Sequence, residues 1–163
     1  MPKPRRKHAF KQSAGVLLFR RTGQEIEVLL AHPGGPFWKN KDDGAWSIPK
    51  GEYADDEDPL AAAKREFTEE TGLTPSGNFI TLGQVRQAAG KVVSAWAVEG
   101  DFDTTRLQSN TISMPWPPRS AKIQEFPEID RVEWFPLDVA RRKMLPGQAE
   151  LLERLVRLSP PAP

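Results

Sequence analysis

Residues 51–73, GEYADDEDPLAAAKREFTEETGL, constrain this chain more than any other stretch, because both ends of a helix are written into them. Asp58-Pro59 is a start. The Asp side chain caps free amides, and Pro suits the first turn, where a missing N–H costs nothing. Gly72 is a stop, since glycine takes the left-handed conformation that follows a last turn. The spacing predicts a helix over residues 59–71. Leu60, Ala63, Phe67 and Thr71 recur at three- and four-residue steps and form a stripe that faces a core. Glu66, Glu69 and Glu70 fall at i, i+3 and i+4, which puts three carboxylates on a second stripe beside the first. Like charges this close weaken an isolated helix by a few tenths of a kcal/mol per pair, at roughly 0.2–0.5 kcal/mol each. A divalent cation removes that penalty, and carboxylate oxygens are hard ligands that select Mg²⁺ or Mn²⁺ over a thiophilic metal.

The helix belongs to a longer pattern. Gly51 is followed after five residues by Glu57, and after seven more by Arg65, Glu66, Phe67, then Glu69, Glu70, Gly72 and Leu73. Written with U for a bulky apolar residue, this is G-x5-E-x7-R-E-U-x-E-E-x-G-U. At ordinary residue usage its seven fixed letters match a random window at a rate on the order of 1 in 10^8 to 10^9. The pattern resembles the Nudix box, the metal-binding element of the Nudix hydrolases. The resemblance implies an α/β/α sandwich with a mixed sheet, in which the box is a strand–loop–helix. It also implies an activity: attack of water on a phosphorus of a nucleoside diphosphate linked to another moiety. Carried over residue by residue, the Gly51 carbonyl and the Glu66, Glu69 and Glu70 carboxylates stand at the metal-binding positions. Arg65 and Glu57 stand at a pair that fixes the loop–helix geometry, and Arg65 belongs with the catalytic set. Glu69 is the first choice to accept a proton from water, and Glu66 the second.

Composition narrows the rest. A chain of 163 residues is of single-domain size. With 38% apolar and 28% charged residues it is globular rather than disordered. A net charge of +1 gives no strong field for nucleic acid or membrane. The absence of cysteine excludes a disulfide framework, a thiolate zinc site and a cysteine nucleophile. No apolar run is long enough to span a bilayer. The opening MPKPRRKHAF is basic and lacks the apolar core of a signal peptide, so a cytoplasmic location is expected. Residues 1–11 are expected to be a flexible basic arm, 12–158 the Nudix domain, and 159–163 a Pro-rich tail.

Within the domain, apolar runs at residues 13–20 and 26–32 read as paired strands around the turn RTGQE. Residues 79–84, 92–98 and 131–135 read as further strands, 137–143 as a short helix, and 148–158 as a helix with Leu151, Leu152, Leu155 and Leu158 on its apolar side. Weak periodicity over 99–127 reads as a long loop with some strand. Strands with helices between and after them give a mixed sheet covered on both faces.

Outside the box the candidates are fewer. Glu128, six residues before Trp134, resembles a glutamate that reaches the metals in related pyrophosphohydrolases; Glu125 is its neighbour in QEFPEIDRVEW. The run WSIPKG at 46–51 resembles the asymmetrical dinucleoside tetraphosphate hydrolases, except that Glu52 stands where they usually carry His. In that reading Lys50 holds a phosphate beyond the scissile bond. Phe37, Trp38, Trp46 and Trp116 are candidates to stack on a base, with core packing the competing role for Trp46. Arg119 and Lys122 are candidate phosphate contacts. His8 and His32 are isolated and carry no assigned role. The expected partner is a small nucleotide, with dinucleoside polyphosphates ahead of oxidised nucleoside triphosphates. A nonenzymatic Nudix-fold binding module is the alternative of another class, but such modules usually lose box carboxylates, and this chain keeps them all.

Overall fold

Continuous burial from Ser13 to Phe19 makes the first strand the centre of the molecule. The computed structural model describes residues 12–159; the expected basic arm over 1–11, and all of the expected tail but Ser159, lie outside the described residues. β1 (Gln12–Thr22) turns at Gly23-Gln24 into the antiparallel β2 (Glu25–Pro33), with Thr22 opposite Glu25. β3 (Lys50–Glu52) is short. β4 (Ile80–Arg86) pairs antiparallel with β5 (Val92–Glu99), and β5 runs parallel to β1. Within the large sheet the order is β4-β5-β1-β2-β8, with β8 (Ile129–Pro136) antiparallel to β2. The sheet is therefore mixed, as expected.

β1 meets β2 only between Phe19 and Thr22, and the two strands then diverge. The gap is filled by a strap, residues 46–52. Its last part is β3, which pairs with β1 from Ser13 to Gly15. Ahead of β3, Val16 N–H donates to the Pro49 carbonyl at 3.2 Å, and Ala31 and Ser47 exchange both backbone bonds at 2.8 and 3.0 Å. The strap thus satisfies backbone groups on both diverging strands, which buried polar groups require.

Alternation along β1 divides the core in two. Ala14, Val16 and Leu18 face Ala62, Ala63 and Phe67 of α1 (Pro59–Thr71). Leu17 and Phe19 lie in the opposite layer with Trp46, Ile48 and Met144, under α2 (Leu137–Lys143) and α3 (Glu150–Leu158). This is the α/β/α sandwich. α1 starts and stops where its sequence signals stand: Asp58 accepts from Ala61 N–H at 3.0 Å, and Gly72 has φ 83°. Among the described residues, no helix is long and apolar enough to cross a membrane.

Two expectations change. Residues 99–127 contain an organised hairpin of β6 (Thr111–Pro115) and β7 (Ile123–Pro127), a separate two-stranded sheet. Only Ile112 and Met114 of β6 and Phe126 of β7 are half-buried, so the apolar alternation is too sparse to read in sequence. The last helix begins at Glu150, because a 3₁₀ turn over Pro146–Gln148 takes the residues before it. Its Leu151, Leu152 and Leu155 are fully buried, while Leu158, in the final turn, is 50% exposed and joins neither core layer.

Close packing of the strap predicts an effect at Gly15. A Cβ there would lie 2.7 Å from the Pro49 carbonyl oxygen and 2.8 Å from Lys50 Cβ. Overpacking of this kind costs about 1–3 kcal/mol, and each kcal/mol lowers the melting temperature of a domain this size by about 2–4 °C. Gly15→Ala should therefore melt several degrees lower in thermal denaturation.

Candidate active site

The strap delivers Lys50 and Gly51 directly onto the carboxylate face of α1. A Cβ on Gly51 would lie 2.0 Å from Glu66 Oε2, so only glycine lets this carboxylate rest against the backbone. One residue earlier, Lys50 N–H donates to Glu70 Oε2 at 3.2 Å. Glu66 and Glu70 are consequently buried, at 9% and 5% exposure, although their stripe reads in sequence as polar.

Arg65 ties the approach loop to the helix. Its Nε and Nη2 donate to the two Glu57 oxygens at 2.9 and 3.0 Å, a bidentate pair. Nη1 donates to Glu66 Oε1 at 2.8 Å and to Glu69 Oε1 at 3.3 Å. The Glu57 carboxyl is held below the usual carboxylate range chiefly by this hydrogen bonding, and the Arg65 guanidinium is raised by the same partner.

Glu128 reaches this face from far along the chain through a series of backbone bonds. Asn110 N–H donates to the Glu69 carbonyl at 3.0 Å, Glu128 N–H to the Asn110 carbonyl at 2.7 Å, and Gly34 N–H to the Glu128 carbonyl at 2.8 Å. The β2–β8 ladder also breaks register here: His32 is opposite Arg131, Pro33 is opposite Ile129, and Asp130 is left as the extra residue. Such bulges re-aim side chains beside active sites. Burial and then the charge of Glu69 push the Glu128 carboxyl above its ordinary range. Glu125, on β7, is exposed.

Lys50, Glu70 and Glu128 line a cavity of about 220 Å³ whose other walls include Trp38, Ile48 and Leu145. Trp38 is 38% exposed and presents a ring at the rim. Trp116, from the hairpin, meets Phe37 edge-on at 5.3 Å, outside the cavity lining. Arg119 is exposed in the hairpin turn, away from the lining. Lys122 is likewise exposed. Trp46 requires a correction. It is 1% exposed, lies between His32 and Phe135 with centroids 5.0 Å away on each side, and donates its indole N–H to Asp42 at 2.8 Å. Alternation in the strap sends Trp46 and Ile48 into the α2–α3 layer, so Trp46 offers no face to a ligand.

Two buried polar residues behind the site were given no role by the sequence reading. Gln148 is fully buried; its Oε1 accepts from Ile48 N–H at 3.0 Å, and its Nε2 donates to Ser47 Oγ at 2.8 Å and Gln87 Oε1 at 2.7 Å. It pins the strap from the far side of the sheet. The only signal was a polar residue between Pro146-Gly147 and an apolar helix. His32 is the other, at the end of an apolar run.

Compared with known families, residues 9–155 match the NUDIX domain. The chain belongs to the Nudix family. A nucleoside triphosphate pyrophosphatase/Nudix hydrolase fusion protein of Bifidobacterium longum (strain NCC 2705) is 29% identical over 139 residues, 82% of this chain. The chain spans about a quarter of that relative's length, 25%. Among solved structures, it is similar to the NUDIX domain of Shewanella oneidensis NrtR complexed with ADP ribose. The TM-score is 0.62 at 19% identity, covering 93% of this chain and 89% of that one. It is also similar to a C. elegans Ap4A hydrolase binary complex, with a TM-score of 0.62 at 21% identity over 89% and 96% of the two chains. These likenesses establish the Nudix fold. Nudix hydrolases generally use divalent metals such as Mg²⁺.

Burial dominates the electrostatics of the Nudix box here. Burial, and then Glu128, push the Glu70 carboxyl up to about 9, against the pull of Lys50. Burial also raises Glu66, opposed by Arg65. The Lys50 ammonium is lowered by burial, opposed by Glu70. As placed, the carboxylates do not close on one point, because Arg65 draws Glu66 and Glu69 while Glu70 turns to Lys50 N–H. Among the described residues, no three acidic, His or Cys side chains form a ready cage. The donor set still suits a hard cation: burial raises the Glu66, Glu70 and Glu128 carboxyls, and their charges repel one another.

Two outcomes follow from this electrostatics. Glu70 keeps its proton in the fold up to about pH 9, while the unfolded chain releases it near its ordinary 4.5. The unfolded state binds fewer protons between those values, so stability falls as pH rises through that window. Glu70→Gln should flatten the fall, and melt higher than wild type at pH 8 in the absence of divalent ions. For Arg65, a double-mutant cycle with Glu57 should be clearly non-additive in activity, because either single substitution already breaks the bidentate pair.

Proposed function

We propose that the protein is a Mg²⁺-dependent pyrophosphohydrolase of a nucleotide derivative, with dinucleoside polyphosphates as its leading substrate class. The observation that supports the hydrolase reading is the gathering of carboxyls raised by burial: Glu70 and Glu128 line a cavity together with Lys50 and Trp38, and Glu66 lies beside Glu70 on the same helix. The Gly51 carbonyl with Glu66, Glu69, Glu70 and Glu128 would hold the cation. What the cation supplies is charge neutralisation on the pyrophosphate oxygens.

The chain's own residues account for the other roles. Glu69 is the most exposed of the box glutamates, with a side chain 39% accessible, and is placed to take a proton from an attacking water. Glu66, lying against Gly51, is committed to holding the cation first and is the second choice as base. Arg65 orients both carboxylates. Lys50, in the cavity wall, meets a phosphate beyond the scissile bond. Trp38 stacks on one base. The exposed Phe37 and the half-buried Trp116, in neighbouring loops, offer a second aromatic surface that a dinucleotide uses and a mononucleotide does not.

A second reading rests on the same cavity. Among the described residues Trp38 is the sole aromatic in the lining, and one aromatic wall suits a single base, as in a housecleaning hydrolase of oxidised nucleoside triphosphates. A phosphate-release panel with and without Mg²⁺ separates the two. Dinucleoside polyphosphates should show the higher kcat/KM, and Trp116→Ala should lower it about tenfold for them alone, within the roughly 1–3 kcal/mol of one stacked base. If triphosphates win and Trp116→Ala changes nothing, the second reading stands. Glu69→Gln should lower kcat by about 10²-fold or more on any substrate, the usual contribution of a positioned base.

A further inference from the structure

His32 is fully buried at the end of β2, yet it lines neither the cavity nor the carboxylate face. Both of its ring nitrogens are engaged. Nε2 lies 2.6 Å from the Lys41 carbonyl, which only accepts, so Nε2 carries a hydrogen and donates it. Nδ1 bonds Asp130 Oδ1 at 2.7 Å. The ring packs edge-on against Trp46 at 5.0 Å, which locks its orientation.

Each partner belongs to a wall of the site. Lys41 follows Trp38 by three residues, and its own N–H closes a turn onto the Trp38 carbonyl at 2.9 Å. Asp130 is the extra residue of the β8 bulge, two positions after Glu128. A single side chain therefore bonds, on one nitrogen, the loop that presents Trp38 and, on the other, the turn that presents Glu128. The Gly34–Glu128 backbone bond ties the same two segments at the loop's other end.

We infer that His32 is a positioning residue that sets the width of the nucleotide cavity, by holding the Trp38 loop and the Glu128 turn at a fixed separation. The inference rests on the proposed assignment of Trp38 and Glu128. It assigns His32 no proton transfer. Loss of the clamp widens the gap between the ring that stacks on a base and the carboxylate that completes the cation site, so binding suffers more than turnover.

The test compares His32→Leu, Asp130→Ala and their double variant with Phe135→Leu, which disturbs the same core from the other side of Trp46 and bonds neither wall. In His32→Leu, nucleotide KM and the Mn²⁺ dissociation constant should each rise at least fivefold with kcat within about threefold. Amide exchange over residues 34–44 should quicken. Asp130 is exposed, so Asp130→Ala tests the clamp without opening the core; it should reproduce these shifts, and the double variant should be no worse than His32→Leu. KM and Mn²⁺ binding within twofold of wild type in both single variants would overturn the inference. So would equal shifts in Phe135→Leu at equal loss of melting temperature. The exchange measurement needs no substrate: unchanged exchange over 34–44 in both single variants overturns the clamp, whereas a wild-type protein that hydrolyses no nucleotide overturns the hydrolase reading.

Discussion

The divergence of β1 from β2 is the constraint on which the rest of the molecule depends. Two antiparallel strands that stayed paired along their length would bury the backbone of the central sheet and leave no opening. Here pairing stops at Phe19, and the strap takes over the exposed edges at Val16 and Ala31. Because the strap is bonded to both strands, Lys50 and Gly51 arrive at fixed positions against α1. The Glu66 and Glu70 carboxylates then meet the Gly51 backbone and the Lys50 N–H rather than solvent. The close approach at Gly15 and the absence of a side chain at Gly51 are both consequences of that wedge.

Placing acidic groups under a strap carries a stability cost that the fold relieves only in part. Arg65 offsets part of it for Glu66 and Glu69, and a backbone N–H offsets part for Glu70. What remains is visible as carboxyls raised above their ordinary range at Glu66, Glu70 and Glu128. Perturbed acids gathered in a cleft are the signature of a functional site. In the proposed cation-dependent reading, the charge that settles the cluster comes with the ligand, and the strain relieved and the affinity gained would be one free energy.

The second wall of the cavity is built by long-range contacts. The base of the β6–β7 hairpin bonds the end of α1 through Asn110 on Glu69 and Gln108 on Thr71. Glu128 then bonds Asn110, and Gly34 bonds Glu128. Every one of these bonds uses backbone groups, so no side-chain pattern announces them. They place the start of the aromatic loop, the hairpin and the helix that carries the box in contact. In the proposed dinucleotide reading, a ligand gripped at two ends would draw on all three.

The box helix was legible in the sequence down to its end residues, because a capping Asp, an early Pro, a terminal Gly and a helical apolar period act over a few residues. The carboxylate stripe, the order of the main strands and the layered mixed sheet were legible for the same reason: each rests on local periodicity or on a dense fixed spacing. Tertiary structure alone decided which candidates face the cavity. Core packing and stacking both stood open for Trp46 in the sequence, and strand alternation within the wedge buries it in the core while Trp38 stays at the rim. Glu125 and Glu128 differ by three residues, and a bulge in a ladder with a distant strand turns only Glu128 toward the box. His32 and Gln148 look isolated in sequence because their partners lie up to about a hundred residues away. Side-chain direction at such positions depends on which strand passes alongside, and a neighbour that distant leaves no local periodicity or spacing to read.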